Sequence, residues 1–173
     1  MSKNIIIGIG NILFCDDGIG VFAAHYLEKN YSFEPAIDIL DGGTIGIGLM
    51  RYFEEYDSVL LLDTISLASD VGSIYTLPSS ELLDLPNYKN TAHEVEVVDM
   101  LQSSILLDKC AEVSVYGVVP SDIVTMQIGL SSKLEQYFEL YIATIIDYIK
   151  KLNIEVRKTG NYSLQQVIKT LNS

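Results

Sequence analysis

Basic residues are scarce in this chain: 11 Lys and Arg stand against 23 Asp and Glu in 173 residues, a net charge of −12. That balance weighs against nucleic acid as a partner, because a phosphate backbone demands Lys and Arg. It fits instead a basic partner surface or a cation. Cysteine is nearly missing as well, and the two present, Cys15 and Cys110, suit a reducing compartment better than a disulfide framework. No apolar run reaches the roughly 18 residues of a membrane span, and the first residues lack the basic-then-apolar layout of a signal peptide. These absences predict a soluble, cytoplasmic protein without membrane insertion. Repeats, linkers and low-complexity stretches are also missing, so one domain over 1–173 is expected, with a core at about 4–150 and a tail at about 157–173.

What is present is apolar and patterned. Hydrophobic residues make up 49% of the chain and mean hydropathy is +0.28, enough for a sizeable core and contrary to disorder. Residues 4–9 read as a short buried strand, followed by a glycine-rich turn, two adjacent acids (Asp16 and Asp17) and a helix from about Gly18. In that helix Ile19, Phe22, Ala23, Tyr26 and Leu27 share one face, and the helix is expected to end near Asn30. A second strand over 37–40 runs into Asp41, Gly42, Gly43 and Thr44; a second helix then carries Ile45, Leu49, Tyr52, Phe53 and Tyr56 inward. Residues 58–62 are almost wholly apolar, as a central strand covered on both faces should be, and they stop at Asp63.

Residues 73–77 read as a half-polar edge strand, antiparallel to the rest, and 78–90 as a loop. Thr91 and Glu94 have capping-box spacing, which places His93 in the first turn of a helix with Val95, Val98 and Leu101 inward. A fifth strand over 112–116 leads through residues 117–120 (GVVP) into a long loop. The last long helix opens on a second capping box, Ser132 with Glu135, and buries Leu134, Phe138, Tyr141, Ile142, Ile145 and Ile149. Strands alternating with helices specify an α/β protein: a three-layer α/β/α sandwich with a twisted, mostly parallel five-stranded sheet and right-handed crossovers. The tail holds only a weak helical pattern, Leu164, Val167, Ile168 and Leu171. Chain ends are weakly ordered unless docked, so residues 160–173 are expected to be dispensable for the fold.

In a parallel sheet every strand's carboxyl end lies on one edge. Asp17 follows the first strand, Asp41 ends the second, Asp63 ends the third, and His93 opens a later helix. Two carboxylates and an imidazole suit a divalent transition ion and leave positions open for water or substrate. A first-turn histidine is disfavoured as a cation by the helix dipole, which keeps it available as a neutral ligand. The same residues also admit a purely structural reading, with an aspartate as N-cap and the histidine as a surface or hydrogen-bonded residue; spacing alone leaves both open. His25, in mid-helix, reads as structural. Cys15 adjoins the acids, which raise a thiol pKa rather than lower it, so a catalytic thiol is disfavoured. Nucleotide binding is disfavoured too: the dinucleotide fingerprint needs a glycine where Leu13 stands, and the Walker pattern is absent. Neither a zinc-helix HExxH nor a Ser/His/Asp set declares itself.

Residues 8–21, GIGNILFCDDGIGV, closely resemble the opening motif of the nickel-iron hydrogenase maturation endopeptidases. The likeness continues through DGGT at 41–44, the strand-end Asp63, the isolated His93 and GVVP at 117–120, in order over roughly residues 4–150. The resemblance implies an endopeptidase that removes the C-terminal peptide of the hydrogenase large-subunit precursor after nickel insertion; the alternative is a non-catalytic chaperone or sensor of nickel loading. It implies Asp17, Asp63 and His93 as both catalytic residues and metal ligands, with nickel supplied by the precursor and zinc or cadmium able to occupy the site in vitro. Asn11, Asp41, Gly42 and Gly43 correspond to substrate-contacting positions. Some relatives carry Glu where this chain has Asp17, which draws the carboxylate back by one methylene. Asp16 is expected to cap or orient rather than ligate. Oligomeric state is left open.

Overall fold

The computed structural model describes residues 2–84, 92–106 and 111–172, with side chains over 2–81, 95–103 and 111–172. Cys110 and Thr91 therefore lie outside the described residues. Strand β1 (Asn4–Ile9) is flanked by β3 (Ile37–Gly43) and β4 (Ser58–Thr64); beyond β4 come β6 (Glu112–Val118) and β5 (Ile74–Pro78). β1 runs parallel to both neighbours, β4 runs parallel to β6, and the edge strand β5 is antiparallel. This is the expected mostly parallel five-stranded sheet.

Successive strand residues point to opposite faces, and here both faces are covered. Ile5, Ile7 and Ile9 join Val59, Leu61, Val113 and Val115 beneath α2 (Met50–Glu55) and α4 (Ala92–Leu106). Ile6, Leu60, Leu62, Tyr116 and Val118 face the other way, onto α1 (Ile19–Asn30), α6 (Phe138–Lys151) and α7 (Leu164–Leu171). Each fully buried Leu or Ile contributes about 1.5–3 kcal/mol relative to exposure, so the double-sided apolar strands carry the three-layer architecture. No helix among the described residues is long and apolar enough to cross a membrane.

Several local expectations are corrected. Residues 79–84 within the expected loop form α3 (Ser79–Asp84), since the SSELLD stretch after Pro78 has helix-forming residues once the chain has left β5. The 3₁₀ turn Gly46–Leu49 precedes α2, and Ile45 is 58% exposed rather than inward, while Leu49 and Phe53 are buried. In α4, Val98 and Leu101 are buried as expected, but Val95 lies at the surface. β3 and β4 each continue past their aspartates, to Gly43 and Thr64. The last long helix is broken into α5 (Ser132–Glu135) and α6, and its cap is Ser131 rather than Ser132: the Ser131 hydroxyl accepts from the Leu134 N–H at 3.2 Å.

The tail corrects the largest expectation. β7 (Glu155–Lys158) pairs antiparallel with β2 (Tyr31–Glu34), a ribbon with no local sequence signal because its strands are far apart in the chain. Beyond it, α7 opens on a full capping box between Ser163 and Gln166 and buries Leu164, Val167 and Ile168 in the same cluster as α1 and α6. Asn30, fully buried, ties the connection down: its side chain accepts from the Tyr162 N–H at 2.7 Å and donates to the Tyr162 carbonyl at 3.1 Å, and its own carbonyl accepts from the N–H groups of Thr159 and Gly160. The tail is core, not appendage.

Candidate active site

Two glycines set the depth at which α1 meets the sheet. A Cβ on Gly20 would sit 2.1 Å from the Leu62 carbonyl oxygen and 2.3 Å from that of Ile9, and one on Gly8 would sit 2.3 Å from the Gly20 oxygen. The start of α1 therefore rests backbone to backbone on the ends of β1 and β4. That contact carries the preceding 3₁₀ turn, Cys15–Gly18, onto the carboxyl edge of the sheet. Gly10 closes the turn at φ +132°, where a Cβ would overlap the Asp17 carbonyl oxygen at 1.8 Å; such a conformation is open to glycine alone.

The two acids in that turn have different surroundings. Asp16 is fully buried. Its carboxylate accepts from the N–H groups of Ser121, Asp122 and Ser131 at 2.8, 2.9 and 2.7 Å, and from the Ser131 hydroxyl at 2.9 Å. All these donors belong to the loop between β6 and α5, so Asp16 orients that loop against the turn. Ser131 serves twice, as cap of α5 and as donor to Asp16. Sequence reading anticipated an orienting role for Asp16 but missed its partners, which lie more than a hundred residues away. Cys15 is buried beside it, with Sγ 3.8 Å from the Asp16 Oδ1. Burial, and then the Asp16 charge, push its thiol above the ordinary value, which is unfavourable for a nucleophile.

Asp17, 6% exposed, accepts the Asn11 N–H on Oδ2 at 2.9 Å. Asp63, 1% exposed, stands one residue beyond the point where Leu62 pairs with Gly8, and opposite Gly117. Its Oδ1 accepts the Thr64 N–H at 2.7 Å. Strand alternation puts Asp63 on the same side as Val59 and Leu61, the α4 side of the sheet. On the opposite side, burial first and the Asp63 charge second hold the Tyr141 phenol well above its usual pKa, and its hydroxyl donates to the Tyr116 carbonyl at 2.6 Å. The backbone of His93 is in the first turn of α4; its side chain lies outside the described residues, and among those residues no three His, Cys, Asp or Glu side chains form a metal-binding group. Two carboxylates of the expected ligand set are thus buried, Asp17 in the turn that follows β1 and Asp63 near the end of β4.

Beside the acids is a cleft of about 220 Å³ lined by Asn11, Asp41 and Gly43, together with Gly10, Ile12, Val21 and Thr44. Three of the four expected substrate-contacting residues meet there. The fourth, Gly42, is buried beneath, where a Cβ would lie 2.7 Å from Ile7 Cγ2. Asp41 is engaged by His25, whose Nε2 lies 2.9 Å from Oδ2, so the histidine read as structural braces the cleft wall.

A doubly wound sheet with buried carboxylates and a cleft at its carboxyl edge places the chain among α/β proteins whose site is built from strand-end acids. The chain belongs to the hydrogenase maturation proteases: the profile of that family, described as HycI hydrogenase maturation protease, matches residues 21–148, which include Asp41, Asp63 and His93. It is 27% identical over 153 residues to the hydrogenase 2 maturation protease of Escherichia coli K12, covering 87% of this chain and 93% of that one. It is 30% identical over 124 residues to the hydrogenase expression/formation protein HupD of Bradyrhizobium diazoefficiens, covering 70% of this chain and 65% of the relative, so the aligned part spans slightly under two thirds of that protein. Among solved structures, the hydrogenase maturating endopeptidase HybD from E. coli superposes with a TM-score of 0.82 at 25% identity, over 90% of this chain and 97% of that one.

Proposed function

We propose that the protein is a metal-dependent endopeptidase that removes the C-terminal peptide of a nickel-iron hydrogenase large-subunit precursor once nickel has been inserted. The observation that carries this reading is the burial of two acids, Asp17 in the turn after β1 and Asp63 near the end of the neighbouring strand β4, on the chain of a hydrogenase maturation protease. His93 completes the proposed ligand set from the first turn of α4. Nickel arriving as part of the substrate would be held by Asp17, Asp63 and His93 and would supply Lewis-acid chemistry there, polarising the scissile carbonyl or activating water. The chain's own residues position and hold: Asn11 fixes the Asp17 carboxylate through its N–H, and the cleft of Asn11, Asp41 and Gly43 receives the peptide. Three protein ligands are fewer than a structural ion site uses, so firm binding of the ion requires the precursor, and the loading state of the precursor becomes the signal to cut.

The test is incubation of the protein with nickel-loaded and nickel-free precursor, followed by mass measurement of the precursor. Loss of the C-terminal peptide from the loaded form alone is expected, and none with the His93→Ala protein. Efficient cleavage of nickel-free precursor would remove the ion from the mechanism. Tight binding of loaded precursor without mass loss would identify a chaperone or sensor instead.

A further inference from the structure

We infer that the loop between β6 and α5, with Leu13 of the turn after β1 bridged beside it, forms a preformed apolar docking ridge that presents Leu13, Val124 and Met126 to an apolar patch of the hydrogenase precursor beside its cleavage site; this rests on the function proposed above. The loop is held firmly from within. Asp16 takes three of its N–H groups, and Asp122 turns its carboxylate back onto the N–H groups of Val124 and Thr125 at 3.0 and 2.9 Å. Gln127 is bonded on both sides of Phe14, donating to the Leu13 carbonyl at 3.0 Å and accepting the Cys15 N–H at 2.8 Å. This parallel bridge sets Leu13 beside Met126.

With the polar backbone satisfied inward, the apolar side chains are left outside: Val124 is 80% exposed, Met126 78% and Leu13 48%. Single exposed apolar residues need no explanation, but adjacent ones on a fixed loop mark an interaction surface. Their exposure contributes nothing to the core. Asp122 is the only charged residue between 119 and 131, and its Oδ1 is turned onto the N–H groups of its own loop, so the ridge carries one carboxylate at its base and is otherwise uncharged, and it fits an apolar surface. Its location selects the occupant. The same segment that carries Leu13 carries Asp16 and Asp17 three and four residues on, and Ile12, next to Leu13, lines the cleft. A substrate reaching Asp17 along the cleft meets the ridge at once.

The experiment uses the Val124→Ser/Met126→Ser double variant, at two positions too exposed to affect folding, and measures kcat and KM on nickel-loaded precursor. KM is expected to rise about tenfold or more with kcat within twofold of the parent. An unchanged KM, with the parent protein cleaving normally, overturns the ridge and leaves the proposed function standing. Failure of the parent to cleave at all overturns the function and the ridge with it. Sedimentation of the parent as a dimer that the double variant dissolves would assign the surface to self-association and equally overturn the inference.

Discussion

The two ends of α1 are each closed by one fully buried polar side chain, and the two do different jobs. At the entry, Asp16 gathers donors from the loop between β6 and α5 and fixes it beside the candidate active site. At the exit, Asn30 gathers donors from the tail and seats α7 on the core. Both recruit partners more than a hundred residues away, and both hold irregular backbone that would otherwise be costly to bury. The difference lies in what is held: at one end a surface that faces substrate, at the other a helix that completes the core. Asp17, one residue from the entry clamp, belongs to neither job.

Substitutions separate these roles. Asp17→Asn should have the largest effect, lowering processing of loaded precursor by at least about 10³-fold with a melting temperature near that of the parent, because it removes a proposed ligand and little packing; near-normal processing would detach Asp17 from the site. Truncation after Thr159 should be next, costing several kcal/mol as Leu164, Val167 and Ile168 leave the core, read as an early thermal transition; a melting curve like the parent's would restore the tail to an appendage. Asp16→Asn faces an amide against backbone N–H donors and should cost about 3 kcal/mol, with a fall in processing that exceeds any fall caused by Asn30→Ala. Equal processing losses in those two variants would erase the distinction between the ends of α1. Cys15→Ala should change processing by less than about twofold, since burial and the Asp16 carboxylate keep the thiol protonated; abolished activity would make it a nucleophile.

What was legible in the sequence follows from range. β1 and β4 are nearly continuous apolar runs, and their burial on both faces is written in composition; the half-polar β5 announced itself as an edge. Asp17, Asp41 and Asp63 were placed on one edge by strand order alone. The β2–β7 ribbon and the docking of α7 were not legible, because pairing Tyr31 with Lys158 leaves no local periodicity. Asp16 was expected to cap or orient, but its partners were not legible for the same reason: its donors are mostly backbone N–H groups, which carry no residue signature. The shift of the α5 cap from Ser132 to Ser131 shows the limit of spacing rules where two serines adjoin and a distant carboxylate selects one of them.

The ribbon bears on how the protein is made. β2 lies near the start of the chain and pairs with β7, about 120 residues later. At about 5–20 residues per second, a ribosome takes roughly 6–24 seconds to deliver that partner. Until then Tyr31 and Phe33 lack the strand they pair with, and the face of α1 that receives α7 stays uncovered. Closure of the α1 flank on the ribosome therefore waits for residues 155–171, and a nascent chain stalled before Glu155 should expose that flank to chaperones.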